Sequence, residues 1–180
     1  MALLLPSSIF RPSRPIIPFG MTHRITLERN TLRFSAAHFT TFHGECEPLH
    51  GHNYDLFVDI EGGLTEDSWV FDFTAAKRLV AAICKQLDHR FLLPLNSTAL
   101  QIEEHPTEYE IRFDQRRYLL PKSDVAALPI DNSTAERLAE WFAGRIADEL
   151  HALGANNVTR VTVGVEEAPG QAGWFTRSFR

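Results

Sequence analysis

The sequence predicts an α+β domain in which an antiparallel sheet carries two helices on one face. Two observations support this class. Several segments have apolar residues that alternate with a period of two, and two longer segments have apolar residues every three or four positions. These segments occur in the order strand, strand, helix, helix, strand, strand. Because consecutive strands commonly pair as neighbours, this order favours one sheet with the helices layered on a single face.

Four segments show the alternation expected of strands. The clearest is Asn53–Glu61, whose apolar side carries Tyr54, Leu56, Val58 and Ile60. Two glycines follow this segment, as expected where a strand ends. The other three predicted strands are Arg24–Phe34, Val158–Val165 and Trp174–Phe179. An apolar side opposite a polar side indicates strands that bury one face and expose the other.

Two longer segments have the spacing of amphipathic helices. The first runs from Thr74, the predicted cap, to Leu87. The second begins at Ser133, where Ser133 and Glu136 match a capping box, and it ends at Gly154. In each segment the apolar residues fall on one stripe, so each helix is expected to pack one face against the sheet.

The chain is predicted to form one domain with an N-terminal extension and an inserted hairpin. Its 180 residues suit a single domain. Residues 1–21 contain four prolines and are expected to be disordered or loosely packed, so that the domain spans residues 22–180. Between the helices, Tyr109–Phe113 and Tyr118–Leu120 flank a polar Asp-Gln pair, which predicts an added hairpin.

Composition excludes several classes of function. The formal net charge is −5, whereas a nucleic-acid-binding protein normally has a basic balance, so no nucleic-acid partner is expected. No apolar run approaches the roughly 20 residues that span a bilayer, so no membrane association is expected. Two cysteines cannot form a disulfide framework, which predicts a reducing, cytoplasmic setting.

Three of the eight histidines are placed to meet in space. His50 and His52 are two residues apart at the start of a predicted strand, so their side chains point the same way. His38 follows the preceding predicted strand and can supply a third imidazole if the two strands pair. Three imidazoles leave one tetrahedral position open, as in catalytic zinc sites. A chance His-x-His pair is the alternative explanation.

A cysteine and an acid–histidine pair lie near these histidines in the sequence. Cys46 precedes His50 by four residues, and Asp88 and His89 directly follow the first predicted helix. A thiol needs a base or a lowered pKa to react, and an oriented histidine supplies either. The charged and proline flanks of Cys46 predict a loop position near the metal, although a small buried side chain is the alternative. Cys84 lies on the apolar side of its helix and is predicted to be core.

In combination, these motifs resemble the 6-pyruvoyl tetrahydropterin synthase / 6-carboxytetrahydropterin synthase family. The matching segments are FSAAH at 34–38, CEPLHGHNY at 46–54, LDH at 87–89, STAE at 133–136 and EAP at 167–169. The resemblance covers residues 22 to about 175. It implies a tunnelling-fold (T-fold) subunit with four antiparallel strands and two helices, which assembles into a trimer or hexamer with sites at subunit interfaces. The hairpin is extra relative to the family pattern.

The resemblance also implies roles for individual residues. The implied zinc ligands are His38, His50 and His52. The implied catalytic groups are a thiolate at Cys46 and its relay partners Asp88 and His89, acting across a subunit boundary.

For the substrate, the resemblance implies a pterin held by two residues. Glu167 would anchor the amidine-like edge of the ring by bidentate hydrogen bonds, and Thr134 would help to hold the same ring. The implied reaction starts from 7,8-dihydroneopterin triphosphate and eliminates triphosphate. We therefore expect a zinc-dependent 6-carboxy-5,6,7,8-tetrahydropterin synthase that feeds queuosine and other deazapurines.

Several alternatives stay open from the sequence. One is formation of 6-pyruvoyl tetrahydropterin. Another is folate-branch cleavage to 6-hydroxymethyl-dihydropterin, because Glu47 follows Cys46 and a branch of the family uses a glutamate at about this place. A different class is a non-catalytic zinc-binding assembly module. A cysteine hydrolase built on Cys46, His89 and Asp88 would leave the three other histidines unexplained.

Overall fold

A computed structural model describes residues 22–179 and has the α+β fold that the sequence predicts. The expectation for residues 1–21 lies outside this part of the chain. The strands are β1 (His23–His38), β2 (Thr41–Phe42), β3 (Glu45–Cys46), β4 (His50–Gly62), β5 (Arg90–Pro94), β6 (Gln101–Glu104), β7 (Glu108–Phe113), β8 (Arg116–Pro121), β9 (Val125–Leu128), β10 (Val158–Ala168) and β11 (Gln171–Ser178). The helices are α1 (Phe73–Leu87) and α2 (Ala135–Ala152), with a 3-10 turn at Lys122–Asp124.

The main sheet has six strands in the order β11-β10-β4-β1-β5-β9. The first four are antiparallel, which confirms the predicted sheet. Strands β5 and β9 extend it in parallel and were not predicted. Both are short and largely buried, so they lack the alternation of polar and apolar residues that reveals a half-exposed strand.

The pairing of β1 with β4 determines where the histidines lie. Strand β1 continues past its predicted end to His38, which lies directly opposite His50, while His52 lies opposite Ala36. Between the two histidines, a Cβ atom on Gly51 would come within 2.9 Å of the Ala36 carbonyl oxygen. The close approach of the two strands therefore favours glycine at the centre of the His-Gly-His motif.

The two helices occupy the predicted segments, but both predicted caps are wrong. Helix α1 is capped by Asp72, whose carboxylate accepts a hydrogen bond from the Ala75 amide at 2.7 Å, and not by Thr74. Helix α2 is capped by Thr134, because the Ser133 side chain is buried and bonded to the backbone of the loop after β1. Among the described residues, no helix is long and apolar enough to span a membrane.

The core is divided into two apolar clusters. The larger lies between the helices and the sheet and includes the four predicted apolar residues of β4. The smaller lies beneath β6, β7 and β8, which form a separate three-stranded sheet that contains the predicted hairpin. Its buried members are Phe39, Cys46, Phe91, Leu93, Leu100, Tyr109, Ile111 and Val125. The hairpin thus covers the segment that leads into the histidine motif.

Truncation of one central aromatic residue should strongly destabilise the domain. Phe142 on α2 is fully buried, and its ring centroid lies 5.7 Å from that of Phe34 on β1. We expect Phe142→Ala to lower the free energy of unfolding by about 3–5 kcal/mol, because it leaves a cavity between helix and sheet. Urea denaturation measures this change. The exposed Leu153→Ala is the control, with an expected change within about 0.5 kcal/mol.

Candidate active site

His38, His50 and His52 converge at one end of the β1–β4 pair. One nitrogen from each of these side chains lies within 4.8 Å of the others. The ring centroids are 4.7 to 5.1 Å apart. The sheet geometry is the cause, since cross-strand partners and residues two apart on one strand share a face. The three histidines that the sequence singled out can therefore hold a metal ion.

Backbone carbonyl groups orient two of these rings. His38 Nδ1 donates to the Ser133 carbonyl oxygen at 2.9 Å, and His50 Nδ1 donates to the Pro48 carbonyl oxygen at 2.8 Å. Because a carbonyl oxygen can only accept, each Nδ1 must carry the proton, which leaves Nε2 as a lone-pair donor. Metal-binding histidines are commonly fixed in this way by a partner on the other ring nitrogen.

Burial favours the neutral form of two of the three rings, those of His38 and His52. His38 is 1% exposed, and its Nε2 has no hydrogen-bond partner among the described residues. Burial is the main cause that lowers the pKa of His38 to about 4. Burial also lowers the pKa of His52, whose ring hydrogen-bonds to the backbone of Glu167. A transition-metal ion binds the lone pair of a neutral imidazole nitrogen, so a ring nitrogen with no other hydrogen-bond partner is available to it.

The histidines open onto a pocket of about 530 Å³ with acidic walls. Its walls come from the loop after β1, from the start of α2 and from the β10–β11 turn. The lining residues are His38, Thr40, Glu47, His50, His52, Thr134, Ala135, Glu136, Glu167, Gln171, Ala172 and Gly173. Glu167 and Thr134, which the sequence proposed as substrate-binding residues, thus face the same space as the histidines.

The Glu47 carboxylate lies in this pocket and is held there by the backbone of Thr40. The Thr40 amide donates to Glu47 Oε2 at 3.2 Å. Burial tends to raise the pKa of Glu47, but hydrogen bonds from Thr40 and the nearby His50 and His38 outweigh it and lower the pKa. The side chain is therefore an ionised carboxylate at neutral pH, which can accept a proton.

Cys46 is a buried residue of β3, so the predicted loop position is wrong and the alternative of a small buried side chain is confirmed. It is 7% exposed and packs in the smaller apolar cluster, outside the set of residues that line the histidine pocket. Burial raises the pKa of its thiol, an effect that the positive charge of Arg116 partly opposes. The flanking charges did not reveal this burial because the inserted hairpin, which is distant in sequence, provides the cover.

Glu167 and its neighbour Glu166 have different environments. Glu167 Oε1 is buried without a hydrogen-bond partner among the described residues. Burial, reinforced by the charges of Glu136 and Glu47, raises the pKa of Glu167. Glu166 instead accepts a hydrogen bond from the Gly170 amide at 2.9 Å across the β10–β11 turn. Of the two, Glu167 lines the pocket, and it is the residue for which the sequence predicts substrate binding.

His89 lines a different groove of the same chain, with Asp88 beside it. The Ser35 amide donates to Asp88 Oδ1 at 2.9 Å, which fixes the acid beside β1. His89 is exposed, with a backbone φ of 57°, and its Nε2 lies 3.7 Å from Asp88 Oδ2. The groove that His89 lines includes His52 but not Asp88, His38, His50 or Glu47. Within one chain, the structure does not bring this pair to the histidine pocket.

The sequence reasoning missed the backbone groups that orient the site. The carbonyl groups of Ser133 and Pro48 fix two histidine rings, and the Thr40 amide fixes Glu47. Backbone groups are common to all residues, so their roles leave no residue-specific pattern. Arg116, whose side chain contacts the Cys46–Glu47 backbone, was also missed because it lies on the inserted hairpin.

Comparisons with known proteins find a matching family and relatives similar in sequence. A sequence model of a family described as 6-pyruvoyl tetrahydropterin synthase matches residues 26–178. A putative 6-carboxy-5,6,7,8-tetrahydropterin synthase from Methanocaldococcus jannaschii is 37% identical over 147 residues, which cover 81% of this chain and 90% of that protein. A dihydroneopterin monophosphate aldolase from Pyrococcus furiosus is 42% identical over 117 residues, or 65% of this chain and 71% of that protein.

Solved structures share the fold along nearly their whole length. The structure of a Plasmodium vivax 6-pyruvoyltetrahydropterin synthase superposes with a TM-score of 0.82 at 33% identity. The match covers 88% of this chain and 99% of that one. That protein is a variant in which a glutamate described as a catalytic residue is replaced by alanine.

Proposed function

Because the chain belongs to the 6-pyruvoyl tetrahydropterin synthase family, whose members are lyase-type enzymes, we propose that it is a zinc-dependent 6-carboxy-5,6,7,8-tetrahydropterin synthase. Its substrate would be 7,8-dihydroneopterin triphosphate, and its product would feed queuosine and related deazapurines. The observation that carries the proposal is the combination, in one pocket, of three clustered histidines and the Glu167 carboxylate, one oxygen of which is buried without a hydrogen-bond partner among the described residues. The names of two archaeal relatives at 37% and 32% identity support the choice of product.

His38, His50 and His52 would hold the zinc ion. The donor set fits this metal, since it offers three imidazole nitrogens, one of them buried without a partner, and leaves room for a further ligand in the pocket. When bound, zinc would supply Lewis acidity to the hydroxyl oxygens of the substrate side chain.

Glu167 would bind the pterin ring. The ring presents two parallel N–H donors from its exocyclic amino group and adjacent ring nitrogen, and a carboxylate accepts such a pair in a bidentate manner. The unpaired Oε1 of Glu167 supports this role, because a ligand that donates there would satisfy it. Thr134, at the start of α2 in the same pocket, would contact the ring beside it.

Glu47 would accept the proton that leaves the substrate side chain. Its carboxylate faces the histidine pocket and has a lowered pKa, whereas the Cys46 thiol, the base implied by the resemblance, is buried in the smaller apolar cluster. Asp88 and His89 would serve the pocket of a neighbouring subunit in a trimer or hexamer. The exposure of His89 and its separation from Glu47 within one chain support that arrangement.

A second candidate function is cleavage of the side chain to give 6-hydroxymethyl-dihydropterin. The specific observation in its favour is the position of the Glu47 carboxylate in the pocket. The Plasmodium vivax neighbour has a catalytic glutamate, and the Pyrococcus furiosus relative is named an aldolase, which is consistent with cleavage of a carbon–carbon bond.

The identity of the pterin product and the fate of the phosphates together distinguish the candidate reactions. Zinc-loaded protein is incubated with 7,8-dihydroneopterin triphosphate, the pterin is identified by mass spectrometry, and the phosphates are followed by ³¹P NMR. We expect 6-carboxytetrahydropterin and free triphosphate. The second candidate predicts 6-hydroxymethyl-dihydropterin, with the triphosphate still esterified to the two-carbon fragment. A 6-pyruvoyl product would keep all three side-chain carbons. If zinc binds without any turnover, the chain is a non-catalytic metal-binding module.

Replacement of Glu167 should weaken pterin binding. Glu167→Gln keeps the size of the side chain but loses one acceptor and the charge. We expect a pterin such as neopterin to bind about ten- to a hundredfold more weakly, the loss expected when a charge-assisted hydrogen bond is removed. Calorimetric titration measures the affinity. Glu166→Gln is the matched control, because its side chain lies outside the pocket, and equal losses in both variants would contradict the assignment.

A further inference from the structure

The inserted hairpin contacts the backbone of the segment that carries Cys46 and Glu47. Arg116 begins β8, and its guanidinium group donates to two consecutive carbonyl oxygens. Nη1 donates to the Glu47 carbonyl oxygen at 2.8 Å, and Nη2 donates to that of Cys46. The same guanidinium lies 5.4 Å from the centre of the Phe113 ring at the end of β7. The planar fork of arginine is suited to such a two-point contact.

The segment is held from its other side by the loop after β1. The Glu47 amide donates to the Thr40 carbonyl oxygen at 3.0 Å, and the Thr40 amide donates to the Glu47 carboxylate at 3.2 Å. Cys46 itself pairs with Thr41 in the short β2–β3 ladder. The backbone at 46–47 is therefore hydrogen-bonded to Thr40 on one side and to Arg116 on the other. The Glu47 side chain faces the histidine pocket, and the Cys46 side chain lies in the smaller apolar cluster.

We propose that Arg116 is a positioning residue that determines which of the two side chains faces the histidine pocket. Its two hydrogen bonds keep the Glu47 carboxylate in the pocket and the Cys46 thiol in the apolar cluster beneath the hairpin. Consecutive side chains of an extended segment point in opposite directions, so a rotation of this backbone would exchange their environments. The catalytic consequence rests on the proposed function, whereas the conformational consequence rests on these contacts alone.

The test compares variants on one hairpin. Arg116→Gln shortens the side chain and removes the guanidinium group that contacts both carbonyl oxygens. Arg116→Lys keeps the positive charge but can contact only one carbonyl oxygen at a time. Arg117→Gln is the matched control, because Arg117 is the adjacent residue and pairs with Glu110 at 2.7 Å, away from the Cys46–Glu47 backbone. Each full-length variant is assayed for zinc content, melting temperature, kcat, KM and the rate of Cys46 alkylation by iodoacetamide, located by peptide mass spectrometry.

We expect Arg116→Gln to lower kcat about tenfold or more, with KM and zinc content within about twofold of wild type, since loss of a charge-assisted hydrogen bond misplaces the base. We expect Cys46 to be alkylated about tenfold faster, while the buried Cys84 stays unreactive. Arg116→Lys should be intermediate, and Arg117→Gln should match wild type. This pattern separates positioning from a general loss of stability, which would lower zinc content and melting temperature together.

Two outcomes would overturn the proposal. One is an Arg116→Gln protein whose kcat and Cys46 alkylation rate equal those of wild type. The other is a fall in activity that follows loss of zinc or of folded protein, or that Arg117→Gln reproduces. The alkylation rate needs no substrate. If wild-type protein has no synthase activity, the proposed function fails, but unchanged alkylation still refutes the positioning role and faster alkylation still supports it.

Discussion

Replacement of His50 by alanine is expected to abolish both metal binding and turnover. The variant removes one of three imidazoles that lie within 4.8 Å of one another, and two remaining ligands hold zinc far more weakly. We expect less than about a tenth of an equivalent of zinc after dialysis, and activity reduced at least about a thousandfold. Mass spectrometric metal analysis measures the first quantity, and product formation measures the second.

The control for this variant is His151→Ala, which removes an exposed histidine from the last turn of α2. It should bind one equivalent of zinc and retain full activity. Full zinc occupancy in His50→Ala would show that the metal is bound elsewhere. Full activity in a zinc-free His50→Ala protein would contradict the proposed zinc dependence.

Replacement of Glu47 by glutamine is expected to have the second-largest effect. The change is isosteric and keeps the hydrogen bond from the Thr40 amide, but it removes the carboxylate that accepts the proton. We expect kcat to fall by about a hundred- to ten-thousandfold, with zinc content unchanged. Steady-state kinetics on zinc-loaded protein measure the loss.

Two further variants make the Glu47 result specific. Glu45→Gln changes an exposed acid on the same loop, outside the pocket, and should retain wild-type kinetics. Cys46→Ala should stay within about threefold of wild-type kcat if the carboxylate is the base. A Cys46→Ala variant with no activity, beside an active Glu47→Gln variant, would restore the thiolate to the catalytic role that the family resemblance implies.

Much of the fold could be predicted because its main strands are half-buried. In β4 the alternation of Tyr54, Leu56, Val58 and Ile60 with polar residues corresponds directly to a buried and an exposed face. The parallel strands β5 and β9 could not be found in this way, because their residues are largely buried on both faces. The caps were missed by one or two residues. At α2 the reason is a contact that is distant in sequence, since the Ser133 hydroxyl donates to the Phe39 carbonyl oxygen and Thr134 caps the helix.

The histidine site was predictable for a related reason. A spacing of two residues on one strand, with a partner on the paired strand, is sufficient to bring His38, His50 and His52 together. The placement of Cys46 and Glu47 was not predictable, because β3 is only two residues long and its orientation depends on the hairpin that packs over it. Local patterns thus predict the histidine cluster, while the placement of the proposed base depends on tertiary contacts.

Within residues 22–179, Nε2 of His38 and Oε1 of Glu167 are buried without a hydrogen-bond partner from the protein. Each buried polar atom that lacks a partner costs about 1–3 kcal/mol of folding free energy. A metal ion would relieve the first and a pterin would relieve the second. Occupancy and folding are therefore linked equilibria, and the midpoint of unfolding should rise with the free concentration of either ligand. The same two atoms would therefore link ligand binding to the stability of the fold.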